Sequence, residues 1–265
     1  MPHRSARFFN TEAIVLRHTD MGEADRIVAF LTPGRGVVRA IAKGARKPSS
    51  KLGGHLDLMR RVHVSISAGR GLSIVSQAET LASYPGLQAN LRRMSQGLYL
   101  CELTERFAVE DAPAPEMFRA LIDGLESLER SSAPALFPAW YEMRLLGLSG
   151  FQPEIRQCAD CGEELRPEPH TYAPARGGIV CTECRGSESD PLIAASVPTV
   201  KLLRYLARSP WNAVEKLRVP DGQLRETQRI LRAHIEYVIE RAVRSARFLE
   251  EVRAWGRTEP PTTVH

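Results

Sequence analysis

Cysteine is scarce in this chain of 265 residues, with five in all, and four of the five stand in two close pairs. Long apolar runs are missing. Nothing approaches the roughly 18 uncharged apolar residues of a membrane-spanning helix, and the N-terminus has no apolar core of a secretory signal. Cysteines in metal spacing without such a signal are expected in a reducing cytoplasm. Catalytic signatures are missing too. No G-x-x-x-x-G-K-S/T occurs, which excludes a P-loop, and the glycines around Gly34-Arg35-Gly36 open no helix, so no dinucleotide fingerprint is supported. Neither H-E-x-x-H nor G-x-S-x-G is present, and the seven histidines are scattered. Paired carboxylates such as Glu163-Glu164 and Glu250-Glu251 lie in polar stretches and read as solvated faces. Nothing here points to an enzyme. Aromatics are few at the start of the chain, where Phe8, Phe9 and Phe30 are the only ones before Tyr84.

The paired cysteines are Cys158-Ala159-Asp160-Cys161 and Cys181-Thr182-Glu183-Cys184, with nineteen residues between them. That is the zinc-ribbon spacing. Each C-x-x-C turn aims two thiolates at one point, and a hairpin that brings the second pair back completes a closed tetrahedral site. Gly177-Gly178 supplies the turn before the second pair, and Ile179-Val180 reads as the strand leading into it. The expectation is one structural Zn(2+) per chain, held by Cys158, Cys161, Cys181 and Cys184. Two disulfides or four idle thiols are the alternatives. His170 lies between the pairs and is read as a loop residue, and Cys101 sits in an apolar helical pattern as core.

Charge is unevenly spread. Residues 1–80 carry thirteen Lys+Arg against six Asp+Glu, a net of +7, out of +5 for the whole chain. The remainder is therefore slightly acidic, and the N-terminal end is built to meet a polyanion, by default nucleic acid. After a loose polar lead-in at 1–10, five short strands are expected at about 13–16, 26–31, 36–42, 62–66 and 72–75. Val62, Val64 and Ile66 alternate with His63 and Ser65, the period of a half-buried strand. Five strands in about eighty residues suit a small antiparallel barrel of the OB type. Between the third and fourth lies Lys43 to Gly54, basic and rich in Gly and Ser. Such a loop can lay cations along a phosphate backbone, or it can be a solvated connector. The expected DNA-contacting set is Arg35, Arg39, Lys43, Arg46, Lys47, Lys51, Arg60 and Arg61, acting through phosphate charge more than base stacking.

From Pro85 the apolar period becomes helical. Helices are expected from there to about Val109, over 116–130, over 135–148, at 197–206 and over about 223–254, with polar GRTEPPTTVH as a frayed tail. The fold expected is multidomain α+β. Residues 1–80 form the OB-type β-barrel that binds DNA, 81–154 and 191–255 the two parts of an α-helical domain, 155–190 an inserted four-cysteine zinc ribbon, and 256–265 a flexible tail.

Several stretches resemble one family. They are Glu12 to Leu16, Gly22 to Val28, Gly36 to Lys47, the run Arg144-Leu145-Leu146-Gly147-Leu148-Ser149-Gly150-Phe151-Gln152-Pro153 leading into the first cysteine pair, and Ser245 to Leu249. Together they resemble the bacterial RecO family of recombination mediators and DNA repair proteins over about 10–255. The resemblance implies the same domain order and a non-enzymatic, nucleoid-associated role. It also implies binding of single- and double-stranded DNA, annealing of complementary strands without ATP, and help in loading RecA, with RecR, onto strands coated by single-strand binding protein (SSB). Not every member keeps all four cysteines; this chain does. The acidic, hydrophobic-ended C-terminal tail of SSB is expected on the helical domain. There Leu202, Leu203 and Leu206 interleave with Lys201, Arg204 and Arg208, near Arg225, Arg229 and Arg232. The alternative is that these leucines are core. Two other functions fit the basic end: a metal-dependent nuclease or other DNA-processing enzyme, and an adaptor that binds only proteins, against which the +7 charge argues.

Overall fold

A computed structural model describes residues 8–67, 71–131, 134–185 and 192–255. The tail expected at 256–265 and the first seven residues lie outside the described residues. Two compact units result. One holds the chain up to Gln152 together with Tyr205–Arg218; the other holds Pro153–Arg204 and the chain from Val219.

The first unit begins with five strands, β1 (Phe8–Met21), β2 (Asp25–Thr32), β3 (Gly36–Ala42), β4 (Arg61–Ser67) and β5 (Ser73–Ala82). They close in the order β1-β2-β3-β5-β4, with β3 and β5 parallel and all other pairs antiparallel. This is the five-stranded OB barrel. Closure depends on the length of β1, whose first half pairs with β4 and second half with β2, the register shifting between Val15 and Arg17. The strand starts at Phe8, inside the lead-in expected to be loose. Phe8, Phe9 and Asn10 are paired with Ser67, Ile66 and Ser65, and the Ser65 hydroxyl donates to the Asn10 side chain at 2.8 Å. Alternate residues fill the interior: Ala13 and Val15, Val28 and Phe30, Val38, Ala40 and Ala42, Val62, Val64 and Ile66. Hydrophobic burial of this set is what specifies the register, since a slip of one residue would turn all of them outward.

The rest of the first unit is helical: α1 (Pro85–Gln88), α2 (Leu91–Phe107), α3 (Pro115–Arg130) and α4 (Phe137–Leu148). Asn90 caps α2 by accepting from the Arg93 N–H. Cys101 is fully buried, as its helical apolar pattern predicts. A short α6 (Trp211–Val214), which no apolar period announced, joins this unit by packing of Trp211 edge-on against Phe137 and tilted against Trp140.

The second unit carries β6 (His170–Ala173), β7 (Gly178–Val180) and β8 (Ile193–Ala195) as one antiparallel sheet in the order β7-β6-β8, then α5 (Val197–Arg208), which ends in the first unit, and α7 (Asp221–Trp255). Tyr172 of β6 and His234 of α7 are both buried and share a hydrogen bond of 2.5 Å. Ser196 and the α7 carboxylate of Glu226 fasten β8 to the same helix. Among the described residues, no helix is long and apolar enough to cross a membrane.

Candidate nucleic-acid interface and metal centre

The basic loop between β3 and β4 is not a free connector. Ala45 and Leu56 reach into the barrel and are buried with its core. The backbone is tied at both ends, with the Gly44 N–H donating to the Asp25 carboxylate at 2.7 Å and the Arg46 N–H to Ala24 O at 2.9 Å at the start, and the Met59 N–H to Val15 O at 2.9 Å at the far end. Turns at Lys47–Ser50 and Leu52–Gly53 complete the path, and a Cβ at Gly53 would lie 2.5 Å from Ala45 O. Anchoring the loop removes much of the entropy that its lysines would otherwise lose on meeting a ligand.

The eight cations expected at this surface divide into two groups. Lys43, Lys47 and Lys51 are exposed and, among the described residues, form no ion pair. The chain has only five lysines, so three of them fall in this one loop. The arginines all have carboxylate partners: Arg35 with Asp111 (3.7 Å), Arg46 with Asp20 (3.3 Å), Arg60 with Asp57 (3.1 Å) and Arg61 with Glu12 (2.7 Å). Arg39 pairs with both Glu105 (3.2 Å) and Glu110. Arg35 also lies over the Phe9 ring at 4.4 Å. Phe30 is buried, which leaves Phe8, half exposed, as the barrel phenylalanine with an open ring.

Glu105 is the centre of the arginine cluster. It comes from the last turn of α2, its side chain is 12% exposed, and it receives the forked guanidinium of Arg17 as well as Arg39. Burial alone would push the Glu105 carboxyl up, but the hydrogen bonds and charges of Arg17 and then Arg39 outweigh it and hold it below the usual carboxylate range. The backbone reinforces the attachment. Val37 N–H donates to Val109 O at 3.3 Å, and Ala114 N–H to Pro33 O at 3.0 Å. Gly36 between them has φ +56°, and a Cβ there would lie 2.2 Å from Val109 O. Glu105→Ala should therefore cost roughly 1–2 kcal/mol at pH 7. The folded-state carboxyl is depressed, so its contribution is present at neutral pH and is lost as pH falls below about 4.3. Urea denaturation from pH 7 to 3 should show the wild type losing its advantage over the variant on the acid side. A constant difference across that range would remove Glu105 from the acid response.

The four paired cysteines come together in the second unit. Their sulfurs all lie within 4.8 Å of one another, and the Cys161 and Cys181 sulfurs are 4.0 Å apart. Four sulfurs tetrahedrally placed about 2.3 Å from one zinc would be about 3.8 Å apart, so the separation fits a closed site. The first pair is turned by Gly162 N–H donating to Cys158 O and held to β7 by Ala159 N–H donating to Ile179 O, at 2.9 and 2.8 Å. Backbone N–H groups of Cys181 and Cys184 point at the sulfurs of Cys158 and Cys181, each at 3.4 Å. Burial pushes the Cys158 thiol up, yet the N–H groups around it prevail and lower it to about 6, whereas the neighbouring sulfurs of Cys181 and Cys161 push Cys184 up to about 12. Four thiols at these separations fit a structural zinc. His170 is buried on β6, not in a loop, and its ring nitrogen Nε2 contacts Arg166 O at 2.8 Å. Among the described residues it is not part of the metal-ligand cluster.

The leucines expected to receive a partner's tail, Leu202, Leu203 and Leu206, are all buried. In the first unit, however, an open cleft of about 690 Å³ lies between α3, α4 and the end of α5. Arg119, Arg144 and Arg208 stand around Trp140, Met143 and Pro210 there, with Glu116 and Asp123 also at its walls.

Both halves of this architecture match one family. The model for the N-terminal part of recombination protein O matches residues 7–84, and that for its C-terminal part residues 88–247. The DNA repair protein RecO of Dehalococcoides mccartyi strain CBDB1 is 36% identical over 245 residues, covering 92% of this chain and 96% of that one. That of Roseiflexus sp. strain RS-1 is 37% identical over 258 residues, 97% and 90% of the two chains, and that of Streptomyces griseus is 34% identical over 253 residues, 92% and 99%. The chain belongs to the RecO family of DNA repair proteins.

Proposed function

We propose that this chain is a non-enzymatic recombination mediator. It binds single- and double-stranded DNA through its barrel, anneals complementary strands without ATP and, with RecR, helps RecA onto SSB-coated strands. Family membership supports a role in DNA repair and recombination. The observation that carries the molecular reading is the trio Lys43, Lys47 and Lys51, exposed and, among the described residues, without carboxylate partners on a loop fastened to the barrel. Each ammonium is a compact point charge that can follow a phosphate backbone of any sequence. Annealing brings two polyanions together. Fixed cations offset their repulsion and release counterions, which needs no nucleotide hydrolysis. The carboxylate-paired arginines contribute less to this, because a phosphate would have to displace Asp20, Asp111 or Glu105 first. Zinc, one per chain, holds the two cysteine turns and takes no part in any reaction.

The cleft beside Trp140 is the better place for the SSB tail. Arg119 and Arg208 answer the acidic residues of such a tail, Arg144 being paired with Asp123 at 3.6 Å, and Leu148 and Pro210 the hydrophobic end, while the lysine loop stays free for DNA. The test is strand annealing by the full-length protein on bare and on SSB-coated complementary oligonucleotides. The wild type should accelerate both. A variant with Arg119→Ala and Arg208→Ala should anneal bare strands as wild type and lose about tenfold on coated ones. Equal loss on both would move the tail elsewhere. Shortening of a labelled strand with divalent metal, in place of annealing, would support the nuclease alternative, which requires carboxylates converging on metal ions.

A further inference from the structure

The two cysteine turns arrive from different parts of the chain, and one side chain is bonded to both. Arg176 lies in the turn between β6 and β7, just before Gly177. Its Nη1 donates to the Asp160 carboxylate, inside the first turn, and to the backbone oxygen of Cys184, the last residue of the second, at 2.9 Å. The guanidinium is 26% exposed and the Asp160 side chain 33%, so the contact is partly shielded from water and salt. Among the described residues, no other side chain apart from the cysteines is hydrogen-bonded to both turns. Four thiolates around one divalent cation carry roughly two net negative charges. Paired with Asp160, the guanidinium adds little net charge to such a site; what it supplies is a tie that keeps the turns at metal-binding separation.

We infer that Arg176 is a positioning residue that ties the two cysteine turns together and sets how firmly they keep their metal. This rests on the zinc reading of the site. The Arg fork is suited to the task because one planar nitrogen serves two acceptors in fixed directions. Outer residues that orient metal ligands commonly change affinity by about 10–100-fold when removed.

The experiment uses the full-length protein loaded with zinc or with Co(2+). Arg176→Ala should release zinc to a chromogenic chelator about tenfold faster or more, while its Co(2+) absorption keeps the shape and intensity of a tetrahedral four-thiolate site. Arg176→Lys should recover part of the loss by restoring donors without the planar geometry that reaches both turns. Asp160→Asn, which weakens one arm only, should fall between Arg176→Ala and wild type. Wild-type release from Arg176→Ala overturns the inference, and so does a changed Co(2+) spectrum, which would mean that the ligands themselves had moved. If Arg176→Ala does not fold, Asp160→Asn decides, and wild-type release from it is a negative result. A wild-type protein that takes up neither metal would instead overturn the zinc reading itself.

Discussion

Cys181→Ser is expected to reduce zinc content well below one per chain and to lower soluble yield several-fold. The reason is the small size of the structure around the site. The three strands of the β6–β8 sheet have only four, three and three residues, too few to order the intervening loops by their own hydrogen bonds. Metal binding then supplies folding energy outright, on the order of 10 kcal/mol in small zinc domains. Any of the other three ligands should give a similar result, Cys158 the most severe because it is also buried. A chelator strong enough to strip zinc should lower the melting temperature of the wild type and leave Cys181→Ser little changed. Elemental analysis finding no zinc in freshly purified native protein would sink this reading, and oxidised cysteine pairs would then take its place.

The cysteine cluster was legible because the chemistry is local in sequence: two residues per turn, one hairpin, and glycine where the chain reverses. The barrel was legible for a related reason. Alternation in Val62-His63-Val64-Ser65-Ile66 is a direct image of one face turned inward. What stayed hidden depends on residues far apart. Arg39 reads as a free cation because Glu105 and Glu110 lie more than sixty positions away, and nothing in either segment announces that they meet. The same is true of Arg61 and Glu12. Ala45 and Leu56 are too isolated in a polar stretch to look like core, although the barrel interior needs both to fill it. Leu202, Leu203 and Leu206 are the opposite case: the sequence leaves them open between groove and core, and the structure buries them. Cations on both sides suggested a groove rim, but an amphipathic helix places charge beside every buried leucine as a matter of course. The cleft beside Trp140 mixes residues from three helices, including Pro210 beyond the end of α5, and so has no sequence pattern at all.

Removing the three loop lysines together should have the larger effect on DNA. A variant with Lys43→Ala, Lys47→Ala and Lys51→Ala is expected to bind single strands on the order of a hundredfold more weakly at 0.1 M salt, because each phosphate contact releases about 0.7 counterion. The slope of log affinity against log salt should flatten by about two, and the loss should be nearly the same for any base sequence. Folding should be spared. All three side chains are exposed, and the burial of Ala45 and Leu56 that anchors the loop is untouched. The companion variant replaces Arg35 and Arg60, which already have carboxylate partners. It should weaken binding far less, since a paired arginine adds little net positive potential, and any destabilisation would show in melting, not in salt dependence. Equal losses from the two variants would mean that DNA displaces the carboxylates and that the whole basic face is engaged. A triple-lysine variant that binds as wild type at several salt concentrations would return the loop to the role of connector. Between those results, a steep loss confined to the lysine variant identifies the loop as the part of the barrel that meets phosphate.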